Sequence, residues 1–301
     1  MEEQIRLAAF KWLEQSVQIH GDVLPRKLLE EGFMFEGKRV TLIGPQGIWK
    51  PKVLNTVPLS ITTVADGPYD DAFTKEGFLA YRYRGTDPNH RDNVGLREAM
   101  RKQVPLIYFH GIVKGKYLAV WPVYIIGDSP EQLTFTLAAD EPSSVVLSIV
   151  SGASEVAEDG MYYKRNYITS TIKQRLHQKS FRERVLEAYR QQCSFCKLKH
   201  SELLDAAHII SDIDKFGDPI VPNGLALCKI HHAAFDSNII GVTPEFEIMV
   251  REDILREIDG PMLLYGIQQL HKQEIILPRN KKLWPDQDRL EIRFKMFKEA
   301  G

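Results

Sequence analysis

Two short spacings constrain this chain more than anything else in it. Cys193-Ser194-Phe195-Cys196 is a C-x2-C knuckle, and Cys228-Lys229-Ile230-His231 repeats the spacing as C-x2-H. Together they supply the four thiolate and imidazole ligands that tetrahedral Zn2+ takes, and they use all three cysteines of the sequence. The reading is a structural zinc site at Cys193, Cys196, Cys228 and His231. An odd and small number of cysteines argues against a disulfide framework. Three unrelated buried thiols would not fall into paired knuckles.

Polar residues are interleaved with this frame. His208 follows Asp205-Ala206-Ala207, Asn223 opens Asn223-Gly224-Leu225-Ala226-Leu227-Cys228, and His232 comes directly after the zinc histidine, with Asp236 four residues on. Residues i and i+4 share a helix face, so His232 and Asp236 are placed to hold one cation together.

The rest of the chain bounds the surroundings. At 301 residues it is too long for one small core and suits two domains of roughly 100 to 200 residues. Hydrophobic residues at 44% and charged residues at 26% are ordinary globular values, which excludes disordered and collagenous classes. No apolar run reaches the roughly 18 residues of a membrane span, and Met1-Glu2-Glu3-Gln4 is acidic where a signal peptide would be basic, so the expectation is a cytoplasmic protein with no membrane partner. The net charge of −1 announces no nucleic acid in bulk. Locally, residues 164–199 hold ten Lys or Arg against two Glu, leading straight into the first knuckle.

Ile5, Ala8, Ala9, Trp12 and Leu13 fall on one face of a helix, and Asp22 is placed to cap a short second helix over Pro25–Glu31. Between about 38 and 140, short β-branched or apolar runs separated by Gly, Pro, Asp and Asn predict a mostly antiparallel sheet, interrupted by a helix from Asn93 to Lys102. Small and acidic residues between 140 and 160 mark a boundary, with a linker near 150 to 165.

Residues 185–300, and above all Cys193 to Asp236, resemble the HNH, or ββα-metal, nucleases. The separations fit: fifteen residues from His208 to Asn223, nine more to His232, four more to Asp236. The resemblance implies that His208 is the general base that activates water at the scissile phosphate, that Asn223 braces the loop orienting it, and that His232 holds a catalytic divalent cation such as Mg2+ or Mn2+, with Asp236. Hydrolysis of a phosphodiester needs both a base titrating near neutrality and a cation offsetting charge on the phosphate oxygens. Where many family members carry a His or Asp just before the base, this chain has Ala207, which leaves Asp205 as a further candidate ligand. A module that has lost catalysis and acts as a zinc DNA-binding regulator is the rival of another class.

In the first half, Gly67-Pro68-Tyr69-Asp70-Asp71, then Tyr81-Arg82-Tyr83-Arg84-Gly85 and a helix led by Asn93, resemble over about 35–140 the SRA domain that binds modified cytosine. The resemblance implies a flipped base held between the rings of Tyr69 and Tyr83, with Asp71 accepting from its exocyclic amine; Asp70 and Tyr81 are the alternatives. Stacking and one carboxylate bond offset the few kcal/mol that flipping costs. Trp49, Lys50, Arg82 and Arg84 are candidate DNA contacts, with His90 and Arg91 behind them. Ordinary β-turn chemistry and strand packing of tyrosines account for the same run without a pocket.

The expected class is therefore α+β: an SRA/PUA-like β-rich domain with N-terminal helices over 1–150, a basic linker or helix over 151–185, and a zinc-braced ββα-metal (HNH) domain over 186–301. The function this implies is a modification-dependent, type IV-like restriction endonuclease acting on double-stranded DNA that carries 5-methyl- or 5-hydroxymethyl-cytosine. The alternative is an HNH endonuclease acting on phosphorothioated or unmodified DNA. Cutting both strands favours a homodimer, since one such site serves one strand at a time.

Overall fold

The computed structural model describes residues 1–64, 74, 78–140 and 158–300, with side chains from 164 onward in the last stretch. Tyr69, Asp70 and Asp71 lie outside the described residues. The chain divides into two compact units, Met1–Leu176 and His177–Gly301. The division falls inside one helix, Glu158–Ala188, where the sequence placed a linker near 150 to 165 and a basic segment up to 185.

The first unit is built on a seven-stranded sheet. Its strands are β1 (Val23–Pro25), β4 (Ile48–Trp49), β5 (Ser60–Thr62), β6 (Leu79–Arg82), β7 (Leu106–Val113), β8 (Lys116–Ser129) and β9 (Thr134–Ala139); a separate pair, β2 (Phe33–Phe35) and β3 (Lys38–Val40), sits outside it. The order is β4-β5-β7-β8-β9-β6, with β1 also paired to β8. Every pairing is antiparallel except β5 with β7.

Strand β7 shows why the sheet is covered on both faces. Successive side chains of a strand point to opposite sides. Leu106 and Tyr108 enter one core with Leu96 and Ala99 of the helix Arg91–Arg101. Ile107 and Phe109 enter another with Ile5, Ala9 and Leu13 of the helix Glu2–His20. Each such Leu, Ile or Phe contributes about 1.5–3 kcal/mol by leaving water, so the continuous apolar run of β7 is what ties both layers to the sheet.

Two local expectations are corrected. Asp22 does not cap the second helix, Arg26–Glu31, which starts from Pro25 without a side-chain cap; the Asp22 carboxylate pairs instead with Arg175 at 2.7 Å. The helix expected from Asn93 begins at Arg91, because the His90 imidazole accepts from the Asp92 N–H and does the capping. Asn93 is fully buried, and its amide spans Arg84 and Asp87.

The second unit opens with strands β10 (Leu204–His208) and β11 (Gly224–Cys228), antiparallel with His208 opposite Gly224 and Leu204 opposite Cys228, and runs directly into the helix Lys229–Asp236. A second small pair follows, β12 (Ile240–Val242) with β13 (Ile248–Val250). The last helix, Gln287–Glu299, is capped by Asp286, whose carboxylate accepts from the Arg289 N–H. One core holds these pieces together, with Tyr189, Leu225, Leu227, Phe235 and Leu290 all buried. Among the described residues no helix is long and apolar enough to cross a membrane.

Candidate functional site

The two knuckles meet where β11 becomes helix. Ligand atoms of Cys193, Cys196, Cys228 and His231 all lie within 4.8 Å of one another, and the group can hold a metal ion. His231 Nδ1 stands 3.4 Å from Cys193 Sγ and 3.2 Å from Cys228 Sγ. Zn–S of about 2.3 Å and Zn–N of about 2.0 Å in a tetrahedron set a sulfur–nitrogen separation of about 3.5 Å, so the donors fit. His231 Nε2 lies 2.7 Å from the Gly266 carbonyl, and donating there leaves the Nδ1 lone pair facing the sulfurs. Hydrogen bonding with Cys193 and then Cys228 pushes the Cys196 thiol up, while bonds with Cys193 and Cys196 pull Cys228 down. Three crowded thiols do not all ionise by themselves. A divalent cation is what would let them.

The next residue, His232, faces a different environment. A cleft of about 380 Å³ is lined by His208, His232, Asp236, Asp212, Asp214 and Arg293, among others. His232 Nε2 is 3.3 Å from Asp236, and Nδ1 is 3.8 Å from Asp205. The helix periodicity therefore does bring His232 and Asp236 together. Ala207 is fully buried, and Asp205 sits beside the far nitrogen of His232, between it and Arg182.

His208 owes its setting to a missing side chain. A Cβ on its strand neighbour Gly224 would lie 2.5 Å from Val185 and 2.9 Å from Phe181, both buried, so those side chains would have to shift. Because position 224 is glycine, the helix Glu158–Ala188 comes close enough for the Phe181 ring to stack on the His208 imidazole, with centroids 4.0 Å apart and planes 18° from parallel. Burial pushes the His208 pKa below its ordinary 6.5, with Asp212 opposing, which favours the neutral ring. Its Nε2 is shielded and has no hydrogen-bond partner among the described residues. Leaving such an atom unpaired costs about 1–3 kcal/mol, a cost that concentrates at functional sites.

Asn223 is fully buried and clamps the end of β10. Its Oδ1 accepts from the Ile210 N–H at 2.9 Å, and its Nδ2 donates to the carbonyls of Ile210 and Asp218 at 2.9 and 3.1 Å. The backbone after His208 is thus held from both sides.

Sequence reasoning missed four residues of this site. Asp212 and Asp214 lie only four and six positions after His208, and that proximity was the available signal. Phe181 and Arg293 reach the site from helices remote in sequence, and no spacing pointed to them.

The candidate base pocket of the first unit comes out differently. Tyr69 and Asp71 lie outside the described residues. Tyr83 is buried, stacked on Phe135 with centroids 4.5 Å apart, and its hydroxyl joins Asp128 and Arg97. The expectation that its ring is open to a base is corrected: strand alternation puts Tyr81 and Tyr83 on the same inward face as Leu79, and only Arg82 between them is exposed. The expected DNA contacts mostly have internal partners. The Trp49 indole N–H donates to Thr41, the Lys50 ammonium to the carbonyls of Leu54 and Asn55, and the Arg84 guanidinium pairs with Asp92 and Gln46.

Residues 193–243 match the HNH_2 family, described as HNH endonuclease, so the chain carries an HNH endonuclease domain and is a nuclease. No curated protein matches it. Among solved structures it is similar to one described as "Modification dependent TagI restriction endonuclease", at 14% identity and a TM-score of 0.28, covering 80% of this chain and 82% of that one. It is also similar to the "Type IV phosphorothioation-dependent restriction endonuclease ScoMcrA", at 17% identity and a TM-score of 0.20, covering 58% of this chain and 52% of that one.

Proposed function

We propose that this nuclease is a divalent-cation-dependent endonuclease of double-stranded DNA, acting in the cytoplasm, whose second unit hydrolyses the backbone and whose first unit selects DNA carrying a modified base. The convergence of His208, His232 and Asp236 on one cleft carries the cutting half. Neutral His208 takes the proton of a water molecule as the water oxygen bonds to phosphorus and the bond to the leaving sugar oxygen breaks; solvent then protonates that oxygen. Asn223 holds the strand end that presents His208. One imidazole and one carboxylate at the cleft suit Mg2+ or Mn2+ with water completing the shell, and such a cation, when bound, supplies positive charge to the phosphate. Zn2+ at Cys193, Cys196, Cys228 and His231 is structural. Two copies of the chain serve the two strands.

The selecting half rests on the run Gly67-Pro68-Tyr69-Asp70-Asp71. In this SRA-like reading Tyr69 is the stacking ring, Asp71 or Asp70 accepts from the amine of 5-methyl- or 5-hydroxymethyl-cytosine, and exposed Arg82 meets phosphate. Tyr83 has no part in it. The burial of Tyr83 removes one of two expected rings and so favours keeping a second reading, recognition of phosphorothioated or unmodified DNA.

Digestion of one duplex made plain, methylated, hydroxymethylated and phosphorothioated, with Mg2+ or Mn2+, separates the two. The first reading expects modified-cytosine duplex to be cut at least tenfold faster than plain, and Tyr69→Ala to erase the difference. Equal cutting of all four, or a preference for the phosphorothioate, refutes it.

A further inference from the structure

We propose that Arg293 binds a non-bridging oxygen of the scissile phosphate, making it a catalytic residue that the metal-and-histidine motif does not contain. The inference rests on the reading of the cleft as the cutting site. Arg293 lies on the helix Gln287–Glu299, fifty-seven residues beyond Asp236, yet lines the same cleft as His208, His232 and Asp236. Its guanidinium is anchored on one side only. Nη2 donates to the Phe235 carbonyl at 2.6 Å, and the guanidinium carbon sits 4.8 Å from the centre of the Phe235 ring.

Nε and Nη1 make no hydrogen bond to any described residue. A guanidinium carries five donors in a rigid fork matched to phosphate oxygens, and here the fork is immobilised by a carbonyl and a ring while part of it remains unused. Half-buried, it keeps its orientation without substrate, so little ordering remains to be done when a phosphate arrives. The acids around it, Asp212, Asp214 and Asp236, would repel a bare phosphate; this cation together with a bound metal ion is what offsets them.

The competing account is purely structural: Arg293 caps the C-terminal end of the helix Lys229–Asp236. The two accounts separate in single-turnover cleavage at saturating cation and DNA, with zinc content, melting temperature and DNA affinity measured alongside. Arg293→Ala is expected to keep its zinc, to bind DNA within a few-fold of wild type, and to cut about a hundredfold more slowly, the loss typical of one removed transition-state donor. Millimolar guanidinium or methylguanidinium added to Arg293→Ala is expected to restore at least tenfold of the rate, which refilling a lost cap would not do. Arg293→Lys, which keeps stem and charge, is the second variant should the alanine protein melt early, and is expected to cut about tenfold slower than wild type. Wild-type cutting by Arg293→Ala, or a slow rate with no response to guanidinium in either variant, overturns the role. Undiminished cutting by His208→Ala would instead overturn the reading of the cleft itself.

Discussion

His231 and His232 are consecutive residues of one helix with opposite fates. His231 is 3% exposed, with one nitrogen on sulfur and the other on a backbone carbonyl. His232 opens on the cleft with a carboxylate beside each nitrogen. A helix turns about 100° per residue, so neighbours face different surroundings. A neutral acceptor on the far nitrogen fixes a tautomer and makes a quiet structural ligand, whereas flanking carboxylates build a site that attracts a cation. The lesson is that the partner of the second nitrogen, not the residue type, separates a frame from a reaction centre.

The comparison breaks most visibly from the frame side. Cys228→Ser should abolish metal binding by the Cys193, Cys196, Cys228 and His231 group, and with it most of the about 10 kcal/mol or more that a structural zinc contributes to small domains. The check is zinc content together with melting of the second unit, and a variant that melts like wild type would mean the frame is not one. Next in size, His208→Ala should lower single-turnover cleavage by about 10³-fold with zinc content and melting temperature unchanged; a fall in both would merge the two clusters into one. Asp205→Asn tests the nitrogen partner directly, with roughly tenfold weaker binding of the catalytic cation by titration of cleavage against Mn2+ and no change in zinc. The smallest effect concerns pH. Because burial holds His208 below 6.5, the acid limb of the rate profile should have its midpoint below that value, and Phe181→Leu, which admits water to the ring, should move it up towards 6.5. The same shift fixes the sign for stability. The unfolded chain takes up the proton first as pH falls, so the folded state loses stability on going below 6.5. An acid limb above 6.5 would contradict the burial.

The separations 193–196, 208, 223, 228, 231, 232 and 236 were legible because they lie on short local elements, where spacing nearly determines direction: a tight turn at Cys193–Cys196, the strand pair that carries His208 and Cys228 with Asn223 just before its second strand, and two turns of helix. Phe181 and Arg293 were not, because each enters from a helix whose docking is decided by the whole core, and nothing near Arg293 in the sequence sets it apart from Arg289. In the first unit most strands over 38–140 were readable as short apolar or β-branched runs between turn residues, while the two-residue strand Ile48–Trp49 was too short to show. At Tyr83 strand periodicity could not arbitrate: a period of two says that two tyrosines share a face but not whether that face meets water or Phe135. The partners of Lys50 and Arg84 were hidden for a related reason, since a charge in a sequence looks free until the carbonyl or carboxylate that engages it is in view.

Gly224 carries one more implication. It meets no substrate, donates to no ion and titrates nothing, yet a single methyl there would wedge the aromatic shelf away from the imidazole. Saturation mutagenesis scored on cleavage should therefore rank this position among the least replaceable in the chain, and an observer holding only those scores would mistake a gap that has to stay empty for a group that acts.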